Sequence, residues 1–167
     1  MRRARLLLVG AIAAVSATAA SADGLRGLPA GTPPAYLQAC GDCHVAFAPG
    51  MLPAESWARL MAGLATHYGS DASLEPPLAQ QIARWLRSEA GTYRRVREAP
   101  PDDRITRSPW FERKHRKVDA AAWTLPSVTQ ASNCAACHAG AARGVYDDDD
   151  LVVPAGVTPR QRRAWTD

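Results

Sequence analysis

The pattern Cys-x-x-Cys-His occurs twice, as Cys40-Gly41-Asp42-Cys43-His44 and Cys134-Ala135-Ala136-Cys137-His138. Together the two copies use all four cysteines of the chain and two of its four histidines. Two thiols three positions apart on a helical turn can reach the two vinyl groups of one porphyrin, and the imidazole that follows swings under its iron. Each segment therefore reads as a covalent attachment site, through Cys40 and Cys43 or Cys134 and Cys137, and the chain as a carrier of two haem c groups. A zinc site, a disulfide pair or a thioredoxin-like dithiol explains less. Zinc does not require a histidine directly after both cysteine pairs, and a redox dithiol belongs to a strand-turn-helix setting that is missing here.

The first 22 residues combine Arg2, Arg3 and Arg5 with an apolar run from Leu6 to Val15 and small residues ending at Ala20-Ser21-Ala22. This is the pattern of a secretory signal peptide over 1–22, cut after Ala22. The apolar run falls short of the roughly 20 residues a spanning helix needs, and no other segment offers them, so no stable membrane insertion is expected after cleavage. A periplasmic location also fits thioether attachment, which bacteria perform outside the cytoplasm. Removing the three leader arginines lowers the formal charge from +4 to +1. Each ferric haem with ionised propionates contributes about −1 more. Neither the charge nor the compartment then suits nucleic-acid binding.

No strand-like alternation is sustained, and the periodic segments favour helix. The expected fold is all-α, with two small haem-wrapping helical domains at 23–99 and 100–154, the first resembling a class I cytochrome c, and a tail at 155–167. Two flat cofactors would replace part of the core, which explains how a chain with 13 prolines can still fold. Pro33-Pro34 opens a first helix that runs into Cys40 to His44. Pro53 opens a second, where Trp57, Leu60, Met61, Leu64 and Tyr68 share a face until Gly69. A third, from Pro77 to Ala90, aligns Leu78, Ile82, Trp85 and Leu86 and stops at Gly91. The apolar period vanishes from Thr92 to Ser108, which reads as a linker around Pro100-Pro101-Asp102-Asp103. Ser108 caps a short helix with Pro109 in its first position, carrying Trp110, Phe111, Lys114 and His115. A second attachment helix is expected from Gln130 to Ala139, an acidic turn at Asp147 to Asp150, and a last short helix from Pro159 to Trp165.

Four histidines are the number needed to fill both axial positions on two irons. His44 and His138 are the proximal ligands, and His67 and His115 are the candidates for the distal positions. His67 lies three residues after Leu64 on the apolar face expected of the second helix, where a buried imidazole needs a partner. His115 sits in the basic run Arg113-Lys114-His115-Arg116-Lys117. The separations match, since 23 residues divide His44 from His67 and His115 from His138, but spacing leaves open which distal histidine serves which haem. Methionine is the alternative sixth ligand. Met61 belongs to a core pattern, whereas Met51 follows Gly50 in irregular backbone and is the freer candidate.

Several separated blocks resemble one family. Cys40 to His44, Leu52-Pro53-Ala54-Glu55-Ser56-Trp57, Leu64-Ala65-Thr66-His67-Tyr68-Gly69, Asp71-Ala72-Ser73-Leu74, Arg104-Ile105-Thr106, Trp110-Phe111 before His115, Asn133 to Gly140 and Val152-Val153-Pro154 are similar to the bacterial dihaem cytochrome c family. The likeness covers about 36–154. It implies two low-spin, low-potential haems with paired histidine ligands, His44 with His67 and His138 with His115. It also implies a carrier that passes electrons between a membrane cytochrome b561 and a small oxygen-binding monohaem cytochrome c, and no enzymatic activity. The rival is a haem enzyme or gas sensor with one open axial position. The segment 84–117, with eleven Arg or Lys against five acids, reads as a solvated surface or a docking face.

Overall fold

The computed structural model describes residues 27–93 and 96–166. The leader expected at 1–22 lies outside them. Among the described residues every regular element is helical, and the only strand-like pairings are isolated bridges, His67 with Ser70 and His138 with Leu151. No helix among the described residues is long and apolar enough to cross a membrane.

Among the described residues four α-helices set the frame: α1 Pro34–Gly41, α2 Ala54–Ala62, α3 Pro76–Glu89 and α4 Pro109–Lys114. Proline begins α1, α3 and α4, where its missing N–H would have had no helical partner anyway. Helix α3 forms because Leu78, Ile82, Trp85 and Leu86 recur at helical spacing, and this stripe packs on α2 and α1. Ile82 and Leu86 are almost fully buried with Tyr36, Leu52 and Trp57. Each such aliphatic side chain contributes about 1.5–3 kcal/mol. The polar ends of the two rings are satisfied: the Tyr36 hydroxyl donates to the Phe47 carbonyl, and the Trp57 indole N–H to Pro49 O at 2.7 Å. Met61 packs against this cluster, as its pattern suggested.

Three helices are shorter than the sequence pattern implies. Helix α1 ends at Gly41, so Cys43 and His44 lie just past it. Helix α2 stops at Ala62 rather than continuing through Tyr68. Gly63 leaves helical geometry, with φ −106° and ψ 21°, and its N–H bonds back to Arg59 and Leu60. A 3-10 turn at Leu64–Thr66 follows, and Tyr68 and Gly69 then take positive φ. His67 therefore rides on a tight turn and not on a helix face. The expected helix from Gln130 to Ala139 is a single 3-10 turn, Cys134–Ala136. Thr129, at φ 67°, and Asn133, non-helical at φ −81° and ψ 72°, keep the flanks from propagating it. The last segment is likewise 3-10, over Gln161–Trp165.

The stretch leading to Ser108 is fastened at Asp102, Asp103 and Arg107. Arg59 of α2 holds the Asp103 carboxylate with two bonds, 2.6 and 2.8 Å, the Tyr68 hydroxyl donates to Asp102 O at 2.9 Å, and Arg107 pairs with Asp102. A second apolar cluster combines Ala48, Met51 and Tyr93 with Ala141 and Tyr146, so residues on both sides of position 100 share it. Gly50 lies flat against the Tyr93 ring, where a Cβ would come within 2.6 Å. Gly144, at φ 72°, lets Leu28 N–H reach Arg143 O at 3.2 Å; a Cβ there would stand 2.7 Å from the Leu28 nitrogen.

Candidate haem-binding sites

The structure brings the four histidines together as two pairs. The rings of His44 and His67 lie 6.4 Å apart, centre to centre, with 29° between their planes. Those of His115 and His138 lie 6.1 Å apart at 78°. His44 and His138 each directly follow a Cys-x-x-Cys pair, whereas His67 and His115 come from a turn after α2 and from the end of α4.

Backbone contacts fix two of the rings. His44 Nδ1 lies 2.8 Å from Val45 O and His115 Nδ1 lies 2.9 Å from Phe111 O. A carbonyl only accepts, so Nδ1 carries the proton in both and Nε2 presents its lone pair. Helix α4 places His115 because Ser108 Oγ accepts the Phe111 N–H at 3.1 Å and starts the helix in register. Aromatic neighbours do the rest. Phe47 stacks on His44 at 4.7 Å, Phe111 on His115 at 3.9 Å, and Tyr146 meets His138 edge-on at 5.7 Å. His67 is half-buried beside Tyr68, over whose ring the Arg104 guanidinium sits at 4.0 Å.

Burial pushes the imidazoles of His67, His115 and His138 below their ordinary range. His44 and Arg104 add to this at His67. The Phe111 carbonyl and Asp148 oppose it at His115; His115 adds to it at His138, where Asp148 and Asp147 oppose it. Neutral imidazole is the form that binds metal. Burial also pushes the Cys40 and Cys134 thiols up to about 11. That leaves little thiolate at neutral pH, the reverse of a nucleophilic dithiol. Among the described residues no group of three or more His, Cys, Asp or Glu converges, so the four cysteines do not build one cage.

The second pair faces a cavity of about 430 Å³ lined by Met51, Ile105, Trp110, Phe111, Trp123, Cys134, Cys137, Tyr146 and Trp165 among others. Met51, the minor candidate ligand, is buried and contributes wall. Three buried atoms in this region have no hydrogen-bond partner of ordinary geometry: Trp110 Nε1, Tyr146 Oη and His138 Nδ1, although the Asp147 backbone lies close enough to favour the protonated ring of His138.

The sequence profile described as dihaem cytochrome c matches residues 36–146. The chain belongs to the dihaem cytochrome c family. The match stops eight residues short of the limit that the quoted blocks suggested. Two solved structures of a dihaem cytochrome c from Rhodobacter sphaeroides are similar to it. One shares 40% identity over 68% of this chain and 96% of the other, with a TM-score of 0.58, and the second 38% over 69% and 97%, with a TM-score of 0.60. A dihaem cytochrome c from Shewanella baltica is 31% identical over 73% of this chain and 93% of that one, with a TM-score of 0.64. A search of curated proteins finds no match.

As a dihaem cytochrome c, the chain is a haem-based electron carrier with two covalently bound c-type haems. Its residues fit them. A metal–imidazole bond of about 2 Å on each side, plus roughly 1.2 Å from ring nitrogen to ring centre, sets two imidazoles on one metal roughly 6.4 Å apart. The observed 6.4 and 6.1 Å lie close to that separation. Trp110 and Tyr146 were not singled out by the sequence as site residues. Their unpartnered N–H and O–H groups are suitable donors for a carboxylate such as a haem propionate. The only sequence signal for them is an aromatic ring with a polar end near a ligand motif.

Proposed function

We propose that the protein is a periplasmic carrier whose two irons are saturated by imidazole, one by His44 and His67 and the other by His138 and His115. Each haem supplies a one-electron ferric–ferrous couple. The chain's part is to hold that couple in place: cysteines tether, histidines occupy both axial positions, and aromatic walls exclude water. With no vacant position for a substrate, only electrons are exchanged. The observation that carries this reading is the separation of both histidine pairs, close to what one shared metal requires.

The partners follow from the family resemblance: a membrane cytochrome b561 on one side and a small oxygen-binding monohaem cytochrome c on the other. The basic run around His115 gives an acidic partner an electrostatic approach. Export with the leader at 1–22 supplies the compartment in which the thioethers form.

Carbon monoxide tests the saturation. The reduced holoprotein should keep its low-spin visible bands under the gas, while His115→Ala and His67→Ala variants should each bind it at one haem. A carbon monoxide shift in the unaltered protein would sink the proposal and favour a gas sensor or peroxidase-like enzyme.

A further inference from the structure

We propose that the segment beyond the family match, closing on Trp165, is a wall of the second haem pocket that keeps water and small solutes from the group anchored at Cys134 and Cys137, leaving the first site as the more accessible redox centre. This rests on the ligand assignment above, His115 with His138.

The family match ends at residue 146, yet Ala164, Trp165 and Thr166 line the same cavity as Cys137 and His138. The Trp165 side chain shares this cavity wall with Cys137 and lies near enough to offset part of the burial that raises its thiol; a thioether sulfur at that position remains a weak acceptor for an indole N–H. The segment is also fastened at its start. Ser127 Oγ donates to Ala155 O at 2.7 Å, and Gly156, at φ 89°, lies against Leu125. Its final turn is held by Thr158 and Gln161, whose side chain accepts from both the N–H and the hydroxyl of Thr158, at 2.9 and 2.8 Å. Arg160, Arg162 and Arg163 are exposed, whereas Ala164 and Trp165 are partly buried. The charged face of this tail is thus turned outward and its apolar face inward. At the first site, by contrast, Cys43 is exposed and Tyr68 is 42% exposed.

The oxidised centre carries the extra positive charge, which water stabilises, so a wall that excludes water holds the potential up. Losing Trp165 therefore lowers the potential of the second haem and speeds its reaction with a small reductant. The test uses full-chain holoprotein with two haems per chain by mass: unaltered, Trp165→Ala, Trp165→Phe, and the Arg162→Gln/Arg163→Gln double variant. The low-spin paramagnetic resonance signal that His115→Ala removes identifies the second haem; if that substitution removes neither signal, the ligand assignment fails rather than the wall.

Stopped-flow reduction by dithionite should accelerate at least a few-fold at the second haem of Trp165→Ala, with its midpoint potential lowered and the first haem unchanged. Trp165→Phe, which keeps the ring, and the arginine variant should reduce at close to the original rate. Unchanged rate and potential in Trp165→Ala, or equal changes at both haems, would overturn the proposal.

Discussion

Each imidazole is aimed by what touches it. His115 is held by the Phe111 carbonyl and ring, while His44 has its own neighbour's carbonyl and Phe47. The two pairs differ in twist, 29° against 78°. Nearly parallel imidazole planes split the iron d orbitals rhombically, whereas planes near a right angle leave them almost degenerate. The oxidised protein should therefore give two different low-spin paramagnetic resonance signals, one rhombic and one with a single large g value; two identical rhombic signals would contradict the ring geometry. At this scale the sequence was most legible. The pentapeptides mark half of each proposed ligand set, and the remaining histidines are few enough to propose the other half. Their pairing could not be read from spacing, because Gly63 and the turn at Tyr68 and Gly69 decide where His67 ends up. Trp110 and Tyr146 were hidden for a similar reason: distant segments make their surroundings.

Among the elements, α4 has the largest effect for its length. Six residues carry buried Trp110 and Phe111 and deliver His115 just past the last turn, and Ser108 starts them. Ser108→Ala should cost about 1 kcal/mol in stability. Denaturant titration of the holoprotein would measure it, with the larger spectral change at the second haem. Helices with long apolar stripes, α2 and α3, could be recognised from periodicity alone. The second attachment segment misled because Cys-x-x-Cys-His suits a helical turn without demanding more than one. Between Thr129 and Gly140 there is too little apolar periodicity to extend it.

Over the whole molecule, long-range contacts hold the irregular stretches in place. The Arg59–Asp103 pair ties α2 to the segment beneath Arg104 and Tyr68. The hydrogen bond from Arg59 holds the Asp103 carboxyl below its usual range, against some opposing burial. A carboxylate depressed in the folded state contributes stability above its unfolded pKa and loses it as pH falls through the folded value. Asp103→Asn should therefore melt at a lower temperature than the unaltered holoprotein at pH 7. The difference should shrink toward zero as the medium is acidified below pH 4, and a gap independent of pH would refute the ion-pair account. None of this was legible beforehand, since two adjacent aspartates after two prolines look like any loop.

The apolar cluster that mixes Met51 and Tyr93 with Ala141 and Tyr146 has a consequence for biogenesis. Because Met51 also lines the second haem cavity, an error in maturing one half is felt in the other. A chain that receives only one of its prosthetic groups should be recognised and degraded as a unit, not kept as a half-functional product.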